Sequence, residues 1–182
     1  MSQFRFEPFV NLKTKYSTSR FALIFAGTSI AAFATLCTKT AQQWDAYLSL
    51  ALVKVSYALV AACGSQATRH AAVLCAPNGF AVEMREGCNG INVIILLWSA
   101  ILAFPARWDS KVIGLVAGSV IIQMVNIVRF ISLFYLGQYS LPWFDFAHTY
   151  LWESLLVLDT LVVFWLWVDR IKRIDSAHDA AI

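Results

Sequence analysis

Charged side chains are scarce in this sequence. Lys, Arg, Asp and Glu make up 14% of its 182 residues and hydrophobic residues make up 59%, whereas a soluble domain typically carries about 25% charged residues. This composition excludes an ordinary soluble domain and predicts a polytopic membrane protein. The net charge is only +3, and the basic residues mostly flank apolar runs, which argues against nucleic-acid binding.

Metal-binding motifs are missing as well. The four cysteines and three histidines form no CxxC, HExxH or other clustered spacing, so the sequence predicts no metal site and no cofactor. An inverted second half is also missing, which disfavours a small transporter or ion channel. The length accommodates a single membrane domain, residues 1–182, without a second large domain.

Four apolar stretches are long enough to cross a bilayer, which takes about 20 mainly apolar residues. We expect transmembrane helices at residues 20–37, 88–106, 111–137 and 149–168. A basic segment precedes the first stretch, as in a signal peptide, but the residues that follow offer a poor cleavage site. We therefore expect the first helix to remain uncleaved.

Basic residues predict the sidedness of the chain, because cytoplasmic segments are enriched in Lys and Arg. They are concentrated in the N-terminal flank (1–19), the short loop 107–111 and the C-terminal tail (169–182), all expected in the cytoplasm. A fifth apolar stretch, 45–63, carries Lys54 at its middle. Four crossings meet these constraints if 45–63 is an interfacial or re-entrant helix on the outer face, with Lys54 reaching water. The alternative is five crossings with the N-terminus outside.

Residues 64–87 are predicted to form a small extracytoplasmic β-hairpin. Two short apolar runs, 71–76 and 80–84, are separated by Pro77-Asn78-Gly79, and Asn-Gly between such runs is typical of a hairpin turn. An irregular loop is the alternative. The predicted fold is thus an all-α integral membrane bundle of about four transmembrane helices, with an interfacial helix and this hairpin.

Three of the four cysteines, Cys37, Cys63 and Cys75, are expected on the same outer side as the hairpin. If that side is a periplasm, disulfides are permitted there. Cys63 with Cys75 is the most plausible pair, although sequence alone does not fix the connectivity.

Arg129 lies inside the longest apolar run, where a charged side chain costs about 2.5–3.5 kcal/mol at a helix centre. It precedes Gly137 by eight residues, so it lies about 12 Å below the outer end of its helix, within reach of the interface. Cys88 stands at the start of the second span, and His148 directly precedes the fourth. A thiol, a guanidinium and an imidazole are therefore expected at one membrane face.

These three groups fit nucleophilic acyl transfer. A thiolate attacks a carbonyl, an imidazole moves the proton, and a fixed cation stabilises the oxyanion. A neighbouring cation also favours the thiolate over the thiol. Gly87 and Gly90, on either side of Cys88-Asn89, let a substrate backbone approach closely, and the N-terminus of the following helix favours an anion.

Simpler explanations exist for the same residues. A free cysteine in a membrane bundle often only fills space, and a histidine at a helix start is often an interfacial polar group. Arg129 needs partners, and Glu153 and Asp159 lie about 7 Å and 16 Å past His148 along the fourth span. The alternative interpretation is a non-enzymatic membrane assembly subunit in which Arg129 forms a structural ion pair with either carboxylate, although such a pair need not exclude catalysis.

Three short motifs resemble those of the exosortase/archaeosortase family of membrane cysteine transpeptidases. They are EGCNGIN at 86–92, NIVRF at 126–130, and the histidine of FDFAHTYLWE, His148. The resemblance covers roughly residues 83–173, and the small size looks most like the short exosortase H branch. Many family members carry more spans before the cysteine motif, so this chain departs from them in the region of substrate docking.

The resemblance implies a role for each site residue. Cys88 would be the nucleophile, Arg129 the cation that stabilises the oxyanion or thiolate, and His148 the general acid and base. Apart from the resemblance, we expect six further residues to support them: Gly87, Asn89, Gly90, Asn126, Glu153 and Asp159.

The resemblance also implies a substrate and a location. Substrates would be exported proteins whose C-terminal sorting signal comprises a short motif, a hydrophobic helix and a basic tail. The enzyme would lie in the bacterial inner membrane, cut at the motif on the periplasmic face through a Cys88 thioester, and pass the acyl group to an acceptor.

Overall fold

The computed structural model describes residues 18–85 and 87–179, with side chains described as far as residue 174. The predicted N-terminal flank, 1–19, falls outside the described residues except for its last two, and so do Glu86 and the final three residues of the predicted tail. The described chain is mainly helical and includes one small antiparallel sheet. The predicted all-α membrane bundle is therefore confirmed.

Six α-helices and three short strands follow one another along the described chain. The helices are α1 (Thr18–Leu36), α2 (Lys39–Ala62), α3 (Ile91–Ala103), α4 (Trp108–Tyr139), α5 (Leu141–Phe146) and α6 (Trp152–Asp179). A π-helical turn, Ala147–Leu151, joins α5 to α6, so residues 141–174 form one long apolar helix. The strands are β1 (Thr68–His70), β2 (Val73–Cys75) and β3 (Ala81–Glu83).

The sheet contains the predicted hairpin and one additional strand. Strands β2 and β3 pair antiparallel around the turn at Pro77-Asn78-Gly79, where Gly79 has a φ of +89°. The Asn78 side chain accepts a hydrogen bond from Phe80 N at 3.1 Å, which closes the turn. Strand β1, which the sequence analysis did not predict, adds to the other edge of β2. Its residues are exposed, so they give no apolar alternation.

Two hydrophobic clusters are stacked along α4, which is about 48 Å long at 1.5 Å per residue. The first cluster packs the N-terminal half of α4 against α3 and α6 through Leu97, Ile101, Ile122, Val163, Trp167 and Ile171. The second cluster packs Phe130 and Phe134 of the C-terminal half against α2 and the sheet. Helix α4 is therefore longer than the roughly 30 Å of a hydrocarbon core, and the two clusters lie at different levels along it.

Helix α2 lies beside the sheet and the C-terminal half of α4. Asp45, in its second turn, bonds to Asn89 at the start of α3, whereas Val53 and Val60 pack in the cluster that contains the sheet. This placement fits the prediction that 45–63 does not cross the bilayer. The helix is nevertheless long and apolar enough to cross, so that assignment stays a prediction.

Helix boundaries differ from the predicted segments for local reasons. Helix α2 begins at Lys39, six residues earlier than expected, because the Thr38 hydroxyl caps it by accepting a hydrogen bond from Ala41 N at 3.3 Å. Helix α3 has only 13 residues, about 20 Å, because Gly90 begins it in a left-handed conformation and Pro105 follows its end.

Cys63 and Cys75, whose pairing the sequence left open, are both free thiols. Cys63 caps the end of α2 and is exposed, whereas Cys75 lies within strand β2, opposite Thr68 of β1. Sidedness alone suggested this pair, and a shared face does not bring two side chains into contact.

Candidate active site

Cys88 is held in a tight turn between the sheet and α3. Gly87 and Gly90 both have left-handed backbones, with φ of +82° and +81°, a conformation that residues with a Cβ rarely adopt. Cys88 N donates to Arg85 O at 3.0 Å, which closes the turn. Gly90 lies next to α4, since a Cβ there would be in ordinary contact with the Asn126 side chain at 3.5 Å. The two glycines thus fix the direction of the thiol.

His148 meets the thiol from the opposite side of the cleft. Its Nε2 lies 4.0 Å from the Cys88 Sγ, although the sequence predicted only that both residues share a membrane face. His148 occupies the π-helical turn before α6, an irregularity that is frequent at functional sites and changes the direction of a side chain. The imidazole also stacks on the Phe144 ring, with centroids 5.8 Å apart. This contact restricts the rotation of the ring.

Arg129 lines the same cleft from α4. The residue is only 5% exposed, yet no hydrogen bond or ion pair of its guanidinium is found within residues 18–85 and 87–174. The predicted partners Glu153 and Asp159 form no such contact with it, and Glu153 is exposed. Depth along a helix contains no information on the direction of a side chain around the helix axis, so it could not decide whether these carboxylates meet Arg129. The cation is therefore available to a group bound in the cleft.

The cleft has a volume of about 390 Å³, within the range of small-ligand sites, about 300–1,000 Å³. Cys88, Arg129 and His148 all line it. Strand β3 and the two residues after it contribute to the lining, and so do the apolar side chains of Phe130, Leu133 and Phe144. The reactive groups therefore share one cleft with an apolar surface, next to which electrostatic interactions are stronger than in bulk water.

Asn126, one turn before Arg129, also lines the cleft. It is 1% exposed, and its amide nitrogen donates to the Gln123 side chain at 3.4 Å. Its Oδ1 has no hydrogen-bond partner among the described residues. An orphaned acceptor of this kind costs free energy in the empty protein, so Asn126 is suited to accept a hydrogen bond from a bound molecule.

A buried polar network holds the residue next to the nucleophile. The Asn89 amide donates to the Asp45 carboxylate and to Ser49 Oγ at 3.0 Å, both on α2. The backbone carbonyl oxygen of Asn89 accepts a hydrogen bond from Gln123 Nε2 of α4 at 3.0 Å. Three elements are thereby tied together directly behind Cys88.

Sequence reasoning included Asn89 but missed Asp45, Ser49 and Gln123. The sequence analysis used Asp45 only as the first residue of the apolar stretch 45–63. The available signal was the spacing of Asp45 and Ser49, four residues apart and therefore on one face of an otherwise apolar helix. No pattern in the sequence indicates that this face meets Asn89, which lies 44 residues later.

The described residues include no group of three or more His, Cys, Asp or Glu side chains that could hold a metal ion. The reactive groups of the cleft are a thiol, an imidazole and a guanidinium.

The fold and the cleft together define a helical membrane protein with a thiol and an imidazole in contact beside a buried cation. A comparison with protein families gives the particular group. The model described as transmembrane exosortase matches residues 13–167, which include Cys88, Arg129 and His148. The chain belongs to the transmembrane exosortase family. Neither the curated proteins nor the solved structures contain a match to the chain.

Proposed function

We propose that this protein is a membrane cysteine endopeptidase and transpeptidase that processes the C-terminal sorting signal of exported proteins. The observation that carries the proposal is the 4.0 Å contact between Cys88 Sγ and His148 Nε2, with Arg129 in the same cleft. Thiol and imidazole in contact are the requirement for an activated cysteine nucleophile. Membership of the exosortase family supports the same chemistry.

The first half of the reaction forms a thioester. His148 Nε2 takes the proton of the Cys88 thiol, and the thiolate attacks the carbonyl carbon of the scissile peptide bond. Arg129 stabilises the negative charge that develops on the carbonyl oxygen. As the carbon–nitrogen bond breaks, His148 returns the proton to the leaving amine. The acyl part of the substrate stays on Cys88, and the C-terminal tail leaves.

The second half releases the acyl group. An acceptor amine, an acceptor hydroxyl or water gives a proton to His148 and attacks the thioester carbonyl. The carbon–sulfur bond breaks, and His148 protonates the Cys88 thiolate. Transfer to an amine or hydroxyl is transpeptidation or esterification, and transfer to water is hydrolysis. The enzyme returns to its starting state in each case.

Charge distribution supports a periplasmic location for the cleft in a bacterial inner membrane. The loop 107–111 and residues 170–173 lie together, because Trp167 Nε1 donates to Ser110 O at 2.9 Å. The cleft lies at the opposite end of the α3–α4–α6 cluster, where Gly90 meets Asn126. By the positive-inside rule the basic end faces the cytoplasm. The cleft then opens toward the outer face, where a substrate helix with a basic cytoplasmic tail would present its motif.

Loss of processing in a Cys88→Ala variant tests the proposal. Exported proteins with a C-terminal motif, a hydrophobic helix and a basic tail should keep that tail in cells that carry only Cys88→Ala. The matched control is Cys37→Ala, which removes an exposed thiol and should process normally. Membrane abundance of each variant is measured by immunoblot. Normal processing by stable Cys88→Ala protein would contradict the proposal.

A further inference from the structure

Strand β3 has one edge without a partner. The sheet order is β1-β2-β3, so among the described strands β3 pairs only with β2. Beyond the strand ends, Ala76 N donates to Phe80 O at 2.8 Å and Met84 N donates to Ala72 O at 3.0 Å. These two bonds identify the residues of β3 whose backbone N–H and C=O groups point toward β2, because hydrogen-bonded and non-hydrogen-bonded pairs alternate along an antiparallel ladder.

The alternation turns the backbone of Ala81 and Glu83 outward. Both residues stand opposite β2 at non-bonded positions, so their N–H and C=O groups point away from it. No described group forms a hydrogen bond with them. Val82, between them, directs its backbone to β2 and its side chain into the buried cluster. The free edge therefore offers two donors and two acceptors with the spacing of a β-ladder.

This edge lies at the active-site cleft. Residues 81–85 form one wall of the space that also contains Cys88, Arg129 and His148. Cys88 follows the end of β3 by five residues and is tied back to it by the bond from Cys88 N to Arg85 O. A chain that runs along β3 consequently passes the thiol.

We propose that the free edge of β3 is the substrate-binding subsite, where the cleavage motif pairs as an added extended strand. The proposal rests on the proposed function and names how that site holds its substrate. Main-chain hydrogen bonds from Ala81 and Glu83 supply affinity, and alternate side chains of the peptide supply specificity, as in other cases of strand addition. The peptide side chains that face inward meet the apolar wall formed by Phe130, Leu133 and Phe144.

Two further observations favour an extended peptide as the occupant. Asn126 Oδ1 is an unpartnered acceptor in the same cleft, so it can accept a peptide N–H that β3 does not reach. Exposed edges in natural sheets are usually covered or made short and charged. This one is short and carries the Glu83–Arg85 ion pair at 3.1 Å, which discourages pairing between copies and leaves the backbone groups open.

The first test uses peptide probes on the wild-type protein. The probe is acetyl-trialanine chloromethyl ketone, whose carbon–chlorine bond breaks as the Cys88 sulfur bonds to carbon, and labelling of Cys88 is followed by peptide mapping. Versions with a single N-methyl group at each successive amide remove one hydrogen-bond donor at a time. Methylation of the amides that face β3 should slow labelling roughly threefold to tenfold, and methylation of the neighbouring amides should change it little. Equal slowing at all positions, or none, overturns the proposal.

The second test alters the strand. Glu83→Pro removes the outward N–H without breaking the ladder to β2, and proline is tolerated on a free edge. Glu83→Ala is the matched control, because it removes the charge and keeps the N–H. Glu83→Pro should slow the peptide probe by a similar factor while labelling by iodoacetamide, which needs no peptide binding, stays unchanged. Equal rates of probe labelling in both variants overturn the proposal.

Failure of the proposed function gives a different pattern. Cys88 would then react with the peptide probe no faster than Cys37, and stable Cys88→Ala protein would process substrate. That result overturns the proposed function and the subsite together. If Cys88 reacts with the peptide probe but N-methylation has no alternating effect on the rate, only the proposal of the β3 subsite is overturned.

Discussion

Cys88 Sγ and His148 Nε2 lie 4.0 Å apart although 60 residues separate them in the chain. Neither residue belongs to a regular α-helix: Cys88 sits in a glycine-flanked turn and His148 in a π-helical turn. The cluster that contains the sheet adjoins this pair, because Phe130 belongs to it, Phe144 packs against it, and both also line the cleft.

Replacing His148 should abolish processing while leaving the protein inserted. A positioned general acid and base contributes about 10²–10⁴-fold to a rate, so we expect a loss of this size for His148→Ala. Alkylation of Cys88 by iodoacetamide at neutral pH should slow as well. Thr149→Ala, an exposed neighbour in the same turn, serves as the control. Unchanged processing by His148→Ala would exclude the proton transfer assigned to this imidazole.

Replacing Arg129 tests whether this residue serves the reaction or holds the helices together. Arg129 forms no ion pair with Glu153 or Asp159 in the described part of the chain, so Arg129→Gln should keep normal membrane abundance. Processing should fall by about 10²–10³, the usual effect of losing one oxyanion donor. Abundance is measured by immunoblot and processing by the mass of the exported substrate. Loss of abundance with normal processing per molecule would instead indicate a structural ion pair.

Removing Asp45 should destabilise the loop that carries the nucleophile. Asp45→Ala removes the charged acceptor of the buried Asn89 amide, and a hydrogen bond to a charged group contributes about 1.5–3 kcal/mol. Thermal unfolding in detergent should therefore occur at lower temperature. Asp45→Asn keeps an acceptor oxygen and should recover much of the loss, and Gln43→Ala, exposed on the same helix, should have no effect. Equal unfolding temperatures for Asp45→Ala and Gln43→Ala would contradict the assigned network.

Gly114 of α4 packs closely against Trp167 of α6. A Cβ there would overlap the Trp167 indole, whose Nε1 donates to Ser110 O at 2.9 Å. Gly114→Ala should destabilise the bundle by about 1–3 kcal/mol through overpacking. Gly27→Ala is the control on α1, because a Cβ there has no neighbour within 4 Å. A chemical-denaturation series in detergent compares the two variants, and a neutral Gly114→Ala would refute the close contact.

The sequence was sufficient for the helices and the hairpin because both follow from local pattern. Long apolar runs give α1, α4 and α6, and Asn78-Gly79 between two short apolar runs gives the β2–β3 turn. Strand β1 was missed, because Thr68, Arg69 and His70 are polar and exposed. Nothing local in these three residues indicates a strand.

The sequence predicted most of the residues that form the candidate site but only some of the contacts between them. Depth along a helix predicted that Arg129 shares a level with Cys88, but depth contains no information on direction around the helix axis. The ion pairs of Arg129 with Glu153 or Asp159, which depth alone allowed, are not formed in the described part of the chain. The contact of Asn89 with Asp45 joins distant parts of the chain, and only the folded packing of α2 against the α3 turn brings them together.

The most direct test of the central claim is a search for the acyl-enzyme. Wild-type protein mixed with a substrate that carries its sorting signal is quenched in acid and analysed by intact-mass spectrometry. We predict an adduct on Cys88 with the mass of the acyl fragment, removable by hydroxylamine as a thioester should be, and absent in Cys88→Ala. Turnover of substrate without such an adduct, or with Cys88→Ala as active as wild type, would contradict the account.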